Sequence, residues 1–424
     1  MSFLFSNKHL SHIASIYIIS IICGFPISAF WSVMIGIDSM GSYIYRVLCI
    51  LLLAYLFFLG ILQKKFTKLP RYTLPILIFS FIIYVRVMVD VLVRGIKFYE
   101  QEDSFFILFF IHNTISAVFI FCFLLESIDF SFLGKWLFIS LLISNLQLLY
   151  YVINEFGFSP AIFQTRIVVN KSDETEGFIL NPITFALVGQ QLTAISIGHL
   201  LFNKDLKVKK YLYYISFVIG FILLLLGGSR GPILNMVLVI SFFLFVKNFK
   251  ANSLKNLLKY FATTTIIIVT LIIFIDNETL ENIEAFRRVI TTIDNINNTD
   301  NEERVFEYSA AWSQFLQSPL IGDQFVNNFD SYHAHNIFLE VLMATGLIGA
   351  FFFFFFIRDY FKALYKVLFV DIPPSILSIY AISITIFLLG LTSGTLYLNL
   401  DLWLSLLAVI GYSKSYQQNS FPLT

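Results

Sequence analysis

Runs of about twenty apolar residues recur along this chain, separated by short polar connections, and that recurrence limits the fold more than any motif does. A hydrocarbon layer about 30 Å thick is crossed by roughly 20 residues of α-helix. In lipid, only helices and closed barrels satisfy their own backbone. The runs lack the apolar–polar alternation of barrel strands, so an all-α polytopic membrane protein is expected. About twelve spans are predicted, at 12–36, 43–62, 72–92, 104–125, 132–154, 179–201, 211–228, 232–247, 260–276, 337–357, 374–393 and 396–413. The junction at 228–232 has the glycines and proline of a sharp re-entrant turn. Only 13% of residues are charged, about half the share of a soluble domain.

The same reading excludes other classes. A net charge of +1 and the lack of any basic patch interleaved with aromatics give no footprint for nucleic acid. Cys23, Cys49 and Cys122 sit in apolar runs without metal-ligand spacing and read as buried thiols. The first run is too long for the core of a signal peptide and lacks a small-residue cleavage site, so it is expected to be retained. No internal repeat is seen, and the phenylalanines of 351–356 read as lipid-facing bulk. The expectation is one integral membrane domain over 1–424, with a single long polar loop, 276–336, within it.

The positive charges orient the chain. With both termini in the cytoplasm, the inner connections hold most of the lysines and, of the arginines, only Arg71 and Arg358. The outer connections and outer half of the membrane hold Arg46, Arg86, Arg94, Arg166, Arg230, Arg287, Arg288 and Arg304, with only Lys97 and Lys171. Lysine serves the positive-inside bias. The planar guanidinium binds phosphate in two-pronged fashion and keeps its charge when partly desolvated. Arginines gathered on the outer side point to an anionic ligand there, with interfacial snorkelling as the plainer account of any single one.

Four constellations could carry chemistry. Gly227-Gly228-Ser229-Arg230-Gly231-Pro232 joins two spans, with glycines that let backbone and guanidinium approach a ligand and a helix start that favours an anion. In the long loop, 277–293 and 303–317 read as helices. The second carries Arg304 at its start and an apolar stripe of Val305, Tyr308, Trp312, Phe315 and Leu316. His333-Ala334-His335-Asn336 closes the loop. Two histidines two apart make a weak metal site, so a histidine acting as general base fits better, with Asn336 as a helix cap. Arg86, Asp90 and Arg94 share one helix face, as an ion-paired stripe holding helices together or as part of the site's frame. Glu340 and Asp401 are buried acids expected to partner arginines.

In Ser229-Arg230-Gly231, Arg304 followed by Trp312, Pro319-Leu320-Ile321-Gly322, His335-Asn336-Ile337-Phe338-Leu339 and Gly346-Leu347-Ile348-Gly349, the chain resembles the O-antigen ligase/polymerase family of membrane glycosyltransferases. The resemblance covers 227–357. It departs from the family at Gln324, where a second glycine is common, and at Ala344, where an acid is common, with Glu340 one turn earlier as its substitute.

The resemblance implies a fold of the C-type glycosyltransferase kind and a polyprenyl-diphosphate-linked glycan as donor. It implies that Arg230 and Arg304, or Arg287 or Arg288 in place of Arg304, bind the diphosphate and that His335 activates the acceptor hydroxyl. Ser229, Gly231, His333 and Asn336 would support them. The reaction would be inverting, with no metal and no cofactor. Membrane lipid and a chain-length regulator protein would be the further partners, in a bacterial inner membrane with the site on the periplasmic face. The expected function is a repeat-unit polymerase for O-antigen or capsule. The alternatives are a ligase using lipid A core as acceptor, a lipid-linked oligosaccharide flippase, and a non-enzymatic assembly protein.

Overall fold

A computed structural model describes residues 6–97, 104–157, 159–170, 178–203, 209–250, 283–284, 287–288, 303–328, 332–369, 373–396 and 399–420. Its helices, in chain order, are α1 (Asn7–Ile35), α2 (Asp38–Leu62), α3 (Leu74–Leu92), α4 (Ser104–Leu124), α5 (Phe130–Phe156) and α6 (Pro182–Phe202). They continue as α7 (Lys209–Leu226), α8 (Arg230–Lys250), α9 (Glu303–Gln317), α10 (Ile337–Phe369), α11 (Pro374–Gly390) and α12 (Leu400–Ser420). Eight of the described helices are long and apolar enough to cross a membrane, and the protein is an all-α, multi-pass membrane protein. A short antiparallel ribbon, β1 (Val169–Asn170) with β2 (Phe178–Leu180), is the departure from helix among the described residues. The expected span at 260–276 and nearly all of the expected helix at 277–293 lie outside the described residues.

Lipid contributes no driving force for helices to associate, so small residues set the closest approaches. Gly189 on α6 and Gly220 on α7 meet backbone to backbone: a Cβ added to Gly189 would lie 2.5 Å from the Gly220 carbonyl oxygen. One turn on, Gly227 packs against Ala186 in the same way. This seam fixes the end of α7, and so the start of α8, against α6. Within α1, the π-helical turn Ser20–Gly24 interrupts the ladder, and the Tyr45 hydroxyl donates to the Ser20 carbonyl at 2.7 Å.

Two features of the late helices change the predicted picture. The expected tenth span, 337–357, is not one straight crossing. At Gly346 the backbone turns to φ 60° and ψ −161°, and the Phe338 and Phe353 rings lie 5.6 Å apart. A straight helix would separate them by about 22 Å. Residues 337–345 therefore form a short helix that folds back on the longer 347–369. Apolar patterning cannot reveal such a fold-back, because the residues on both arms are oily.

The second change concerns α9. Its buried face is Glu307, Ala311, Gln314 and Phe315. Val305, Trp312 and Leu316 from the expected stripe are instead exposed, together with Phe306. The helix thus buries Glu307 and Gln314 beside Ala311 and Phe315 and leaves four large apolar side chains facing outward, an exposure suited to a helix lying at a membrane surface.

Candidate active site

The turn between α7 and α8 is shaped by Gly228, whose φ of +56° favours glycine. A Cβ there would lie 2.9 Å from Cγ of Arg166 and 3.2 Å from Cγ of Glu284. Arg166 comes from the connection between α5 and α6. It is drawn across the end of α7 by the Ile167 amide, which donates to the Leu226 carbonyl at 3.0 Å. Partial burial, and then the Arg288 charge beside it, push the Arg166 guanidinium below its ordinary value, while Glu284 opposes them. Arg287 is ion-paired to Glu284 with a well-exposed side chain. Ser229 is buried and Arg230, half-buried, opens α8. Arg166, Arg288 and Arg230 thus gather at one helix start, where backbone amides and positive charge together suit an anion.

The histidine motif meets α9. Ala334 packs with Ala311 and Met343, which sets its neighbour His335 beside Glu307, one turn before Ala311. The distance from His335 Nε2 to Glu307 Oε1 is 3.7 Å, and both side chains are largely buried. His335 has a φ of +50°, uncommon outside glycine. Its ring lies 4.1 Å from that of His333 and 5.4 Å from that of Tyr332. Asn336 caps the next helix, its side-chain oxygen accepting from the amides of Phe338 and Leu339 at 3.0 and 3.2 Å. Arg304 lies in the first turn of α9, one turn before Glu307. Buried Gln314 binds the following loop, donating to the Val326 carbonyl at 3.0 Å and accepting from the Asn328 amide at 3.0 Å.

A third break joins these two parts. α11 has 17 residues, about 25 Å, so it ends short of a full crossing. Irregular backbone at membrane depth occurs where it is buried in protein or lines a cavity. Residues 391–396 touch both motifs. Gly231 faces the hydroxyls of Thr392 and Ser393, each 3.4 Å from where its Cβ would stand. The Asn336 amide donates to the Leu391 carbonyl at 3.1 Å, and Glu340 accepts from the Leu396 amide at 2.8 Å. Three helix interruptions, each with polar side chains, therefore converge at one end of the bundle.

Arg86, Asp90 and Arg94 hold that end together. Arg86 donates to the carbonyls of Ala344, Asp323, Ile321 and Gly322 at 2.7–3.1 Å. These oxygens end the short helix 337–345 and line the turn packed on it; the Gly322 carbonyl also accepts from the Ser318 hydroxyl and the Asp323 carbonyl from Arg94. Asp90 is fully buried, accepts from the Phe325 amide at 2.9 Å and pairs with Arg94 at 3.1 Å. Arg94 also reaches Asp323. The Pro319-Leu320-Ile321-Gly322 and Gly346-Leu347-Ile348-Gly349 motifs dock on each other: Leu347 and Ile348 donate to the Pro319 and Leu320 carbonyls at 2.8 and 3.1 Å. Glu340 binds backbone rather than an arginine, and Asp401 lines a pocket shared with Arg46.

The structure thus brings Ser229, Arg230 and Gly231 to the same break as His333, His335, Asn336 and Glu340. It sets Arg288 beside Arg166, pairs Arg287 with Glu284, and gives Arg86, Asp90 and Arg94 to the scaffold. Arg166 was named from sequence only as one of the outer arginines, and Glu307 and the 392–395 turn were not singled out. Among the described residues, no group of three His, Cys, Asp or Glu is arranged to hold a metal ion.

Comparison with known proteins agrees with the family resemblance. A family model described as O-antigen ligase matches residues 215–323, which include Arg230, Arg287, Arg288 and Arg304 and end before the histidine motif. A search of curated proteins returns no match.

Proposed function

We propose, from the premise that the chain is of the O-antigen ligase/polymerase family, that it polymerises glycan repeat units of O-antigen or capsule. The growing glycan is transferred from its polyprenyl diphosphate to the hydroxyl of an incoming lipid-linked repeat unit. The site faces the periplasm from a bacterial inner membrane, with both chain termini in the cytoplasm.

The observation that carries this reading is that Gly231, next to Arg230, and Asn336, next to His335, meet the same break at 391–396, with Arg166 and Arg288 beside each other at the Gly228 turn. The arginines bind the diphosphate and stabilise the charge that grows on it as the glycosidic bond breaks, the main catalytic term for a leaving group of this kind. Arg304 is a further ligand of that group. His335 takes the proton of the attacking hydroxyl. The hydroxyl oxygen approaches the anomeric carbon from the face opposite the departing diphosphate, which inverts the centre. The fixed guanidinium charges supply what a divalent cation supplies elsewhere.

The test is purified protein in phosphatidylethanolamine/phosphatidylglycerol vesicles with the polyprenyl-diphosphate-linked repeat unit alone, the products being resolved by chain length. A ladder of longer glycans that is lost in His335→Ala and Arg230→Ala supports a polymerase. Transfer only after lipid A core is added makes the protein a ligase, and glycan movement across the vesicle without transfer overturns the enzyme reading.

A further inference from the structure

A carboxylate that faces one nitrogen of a histidine orients the ring and favours its charged form. Glu307 stands between Phe306 and Tyr308 in α9, which buries it with only 4% of its surface exposed. Burying a carboxylate is costly without a partner, and its Oε1 lies 3.7 Å from His335 Nε2. The pair is held from both sides. Ala311 against Ala334 fixes the distance between α9 and the motif, and the Asn336 cap fixes where the motif enters its helix.

We propose that Glu307 is the positioning residue for His335: its carboxylate, facing Nε2, orients the imidazole and favours the imidazolium that forms when the ring takes the acceptor's proton. This rests on the reading of His335 as the base. A carboxylate beside one ring nitrogen orients an imidazole and stabilises the imidazolium, the role it has in a carboxylate–histidine pair that activates a hydroxyl. A contact of 3.7 Å in a ligand-free protein is of the kind that tightens when substrate binds.

The step then balances. The acceptor O–H bond breaks and its proton passes to the His335 imidazole. The oxygen's electron pair forms the new bond to the anomeric carbon, and the pair of the old C–O bond leaves with the diphosphate. His335, now imidazolium, is stabilised by Glu307 until water removes the proton. Glu307 from α9 and His333 and Tyr332 from its own segment are titratable groups that face His335.

The experiment measures chain extension in the same vesicles as a function of pH for wild type, Glu307→Gln, Glu307→Asp and His335→Ala. Glutamine keeps the shape and removes the charge. It is expected to lower kcat on the order of 10²-fold, leave the donor KM within about twofold, and move the acidic limb of the profile to lower pH. The sign follows because the carboxylate favours imidazolium, and without it the ring loses its proton at lower pH. Aspartate should restore part of the rate and return the limb toward its wild-type position. An inactive His335→Ala beside a Glu307→Gln of wild-type rate and profile overturns the role of Glu307 and leaves His335 as the base. A fully active His335→Ala overturns both. Should Glu307→Gln fail to fold, Glu307→Asp decides: an intermediate kcat supports the proposal and an unchanged kcat overturns it.

Discussion

The Phe338 and Phe353 rings stack edge to face at 5.6 Å, within what the sequence presents as a single apolar run. The contact exists because Gly346 turns the chain back on itself, with its α-carbon pressed against the turn at 320–322. A Cβ at Gly346 would stand 2.5–2.6 Å from the backbone of Leu320, Ile321 and Gly322, and one at Gly322 would stand 2.4 Å from that of Ala344. Both have positive φ, which by itself costs a side-chain-bearing residue about 1–2 kcal/mol. Gly346→Ala and Gly322→Ala are therefore expected to lower the unfolding midpoint in detergent by several degrees and chain extension at least about tenfold. Thermal unfolding monitored alongside the extension assay checks this. Gly36→Ala is the control, because it also has positive φ but its Cβ would meet nothing within 4 Å.

Arg86 makes four hydrogen bonds to carbonyl oxygens, at a point where the short helix ends and the Pro319–Gly322 turn begins. Arg86→Ala removes four hydrogen bonds to carbonyl oxygens and one of the two cations facing buried Asp90, a loss of about 3–5 kcal/mol of stability. Lysine should rescue little, since one ammonium cannot span oxygens that a planar fork reaches together. Arg94 is more exposed, and its removal, which leaves Asp90 with Arg86 and the Phe325 amide, should cost less. Denaturation of the three variants in one detergent would show this order. Equal losses for Arg86→Ala and Arg94→Ala would refute it.

The helices were legible because a lipid solvent demands long apolar runs, and the described helices follow those runs closely. What escaped has one physical cause: the missing information lay in backbone atoms and isolated side chains rather than in periodicity. The i, i+4, i+8 spacing showed that Arg86, Asp90 and Arg94 share a face, but their partners are carbonyls and an amide, which any residue can supply. Arg166 stands alone in a polar connection, with no pattern to tie it to Gly228. Glu307 was hidden in an apolar-looking stripe and proved to be the inward position. The Thr392-Ser393-Gly394-Thr395 cluster is the one missed feature with a usable signal, since small polar residues interrupting an oily stretch mark a break in a membrane helix.

Arg166 and Arg288 lie close enough for one charge to depress the other's guanidinium, while Arg287 is occupied with Glu284. An anion bound between the first two relieves that repulsion, and an anion on Arg287 would have to compete with its carboxylate. Arg166→Ala and Arg288→Ala are expected to raise the donor KM about tenfold each, near 1.4 kcal/mol of binding, and Arg287→Ala distinctly less. Acting on one ligand, the first two should combine less than additively. Initial rates against donor concentration measure all four variants. An Arg287→Ala defect equal to the others would remove the distinction.

The outward face of α9 and its turn puts Trp312, Leu316, Leu320 and Ile321 at exposures of 47, 58, 63 and 59%. An apolar surface of this kind beside a membrane span is suited to the bilayer interface, where tryptophan is favoured. If α9 lies in that interface, its inward face carries Glu307 toward His335 while its outward face is held by lipid, and the membrane itself fixes the reaction geometry. In a variant with Trp31, Trp136 and Trp403 changed to Phe, Trp312 emission should be quenched by lipids brominated near the headgroup and little affected by aqueous iodide. Strong iodide quenching with no lipid effect would make α9 a solvated lid instead. Trp312→Asp, which inserts a charge at the same place, should then weaken chain extension in vesicles more than it lowers the unfolding midpoint in detergent, because only the bilayer supplies the lost contact.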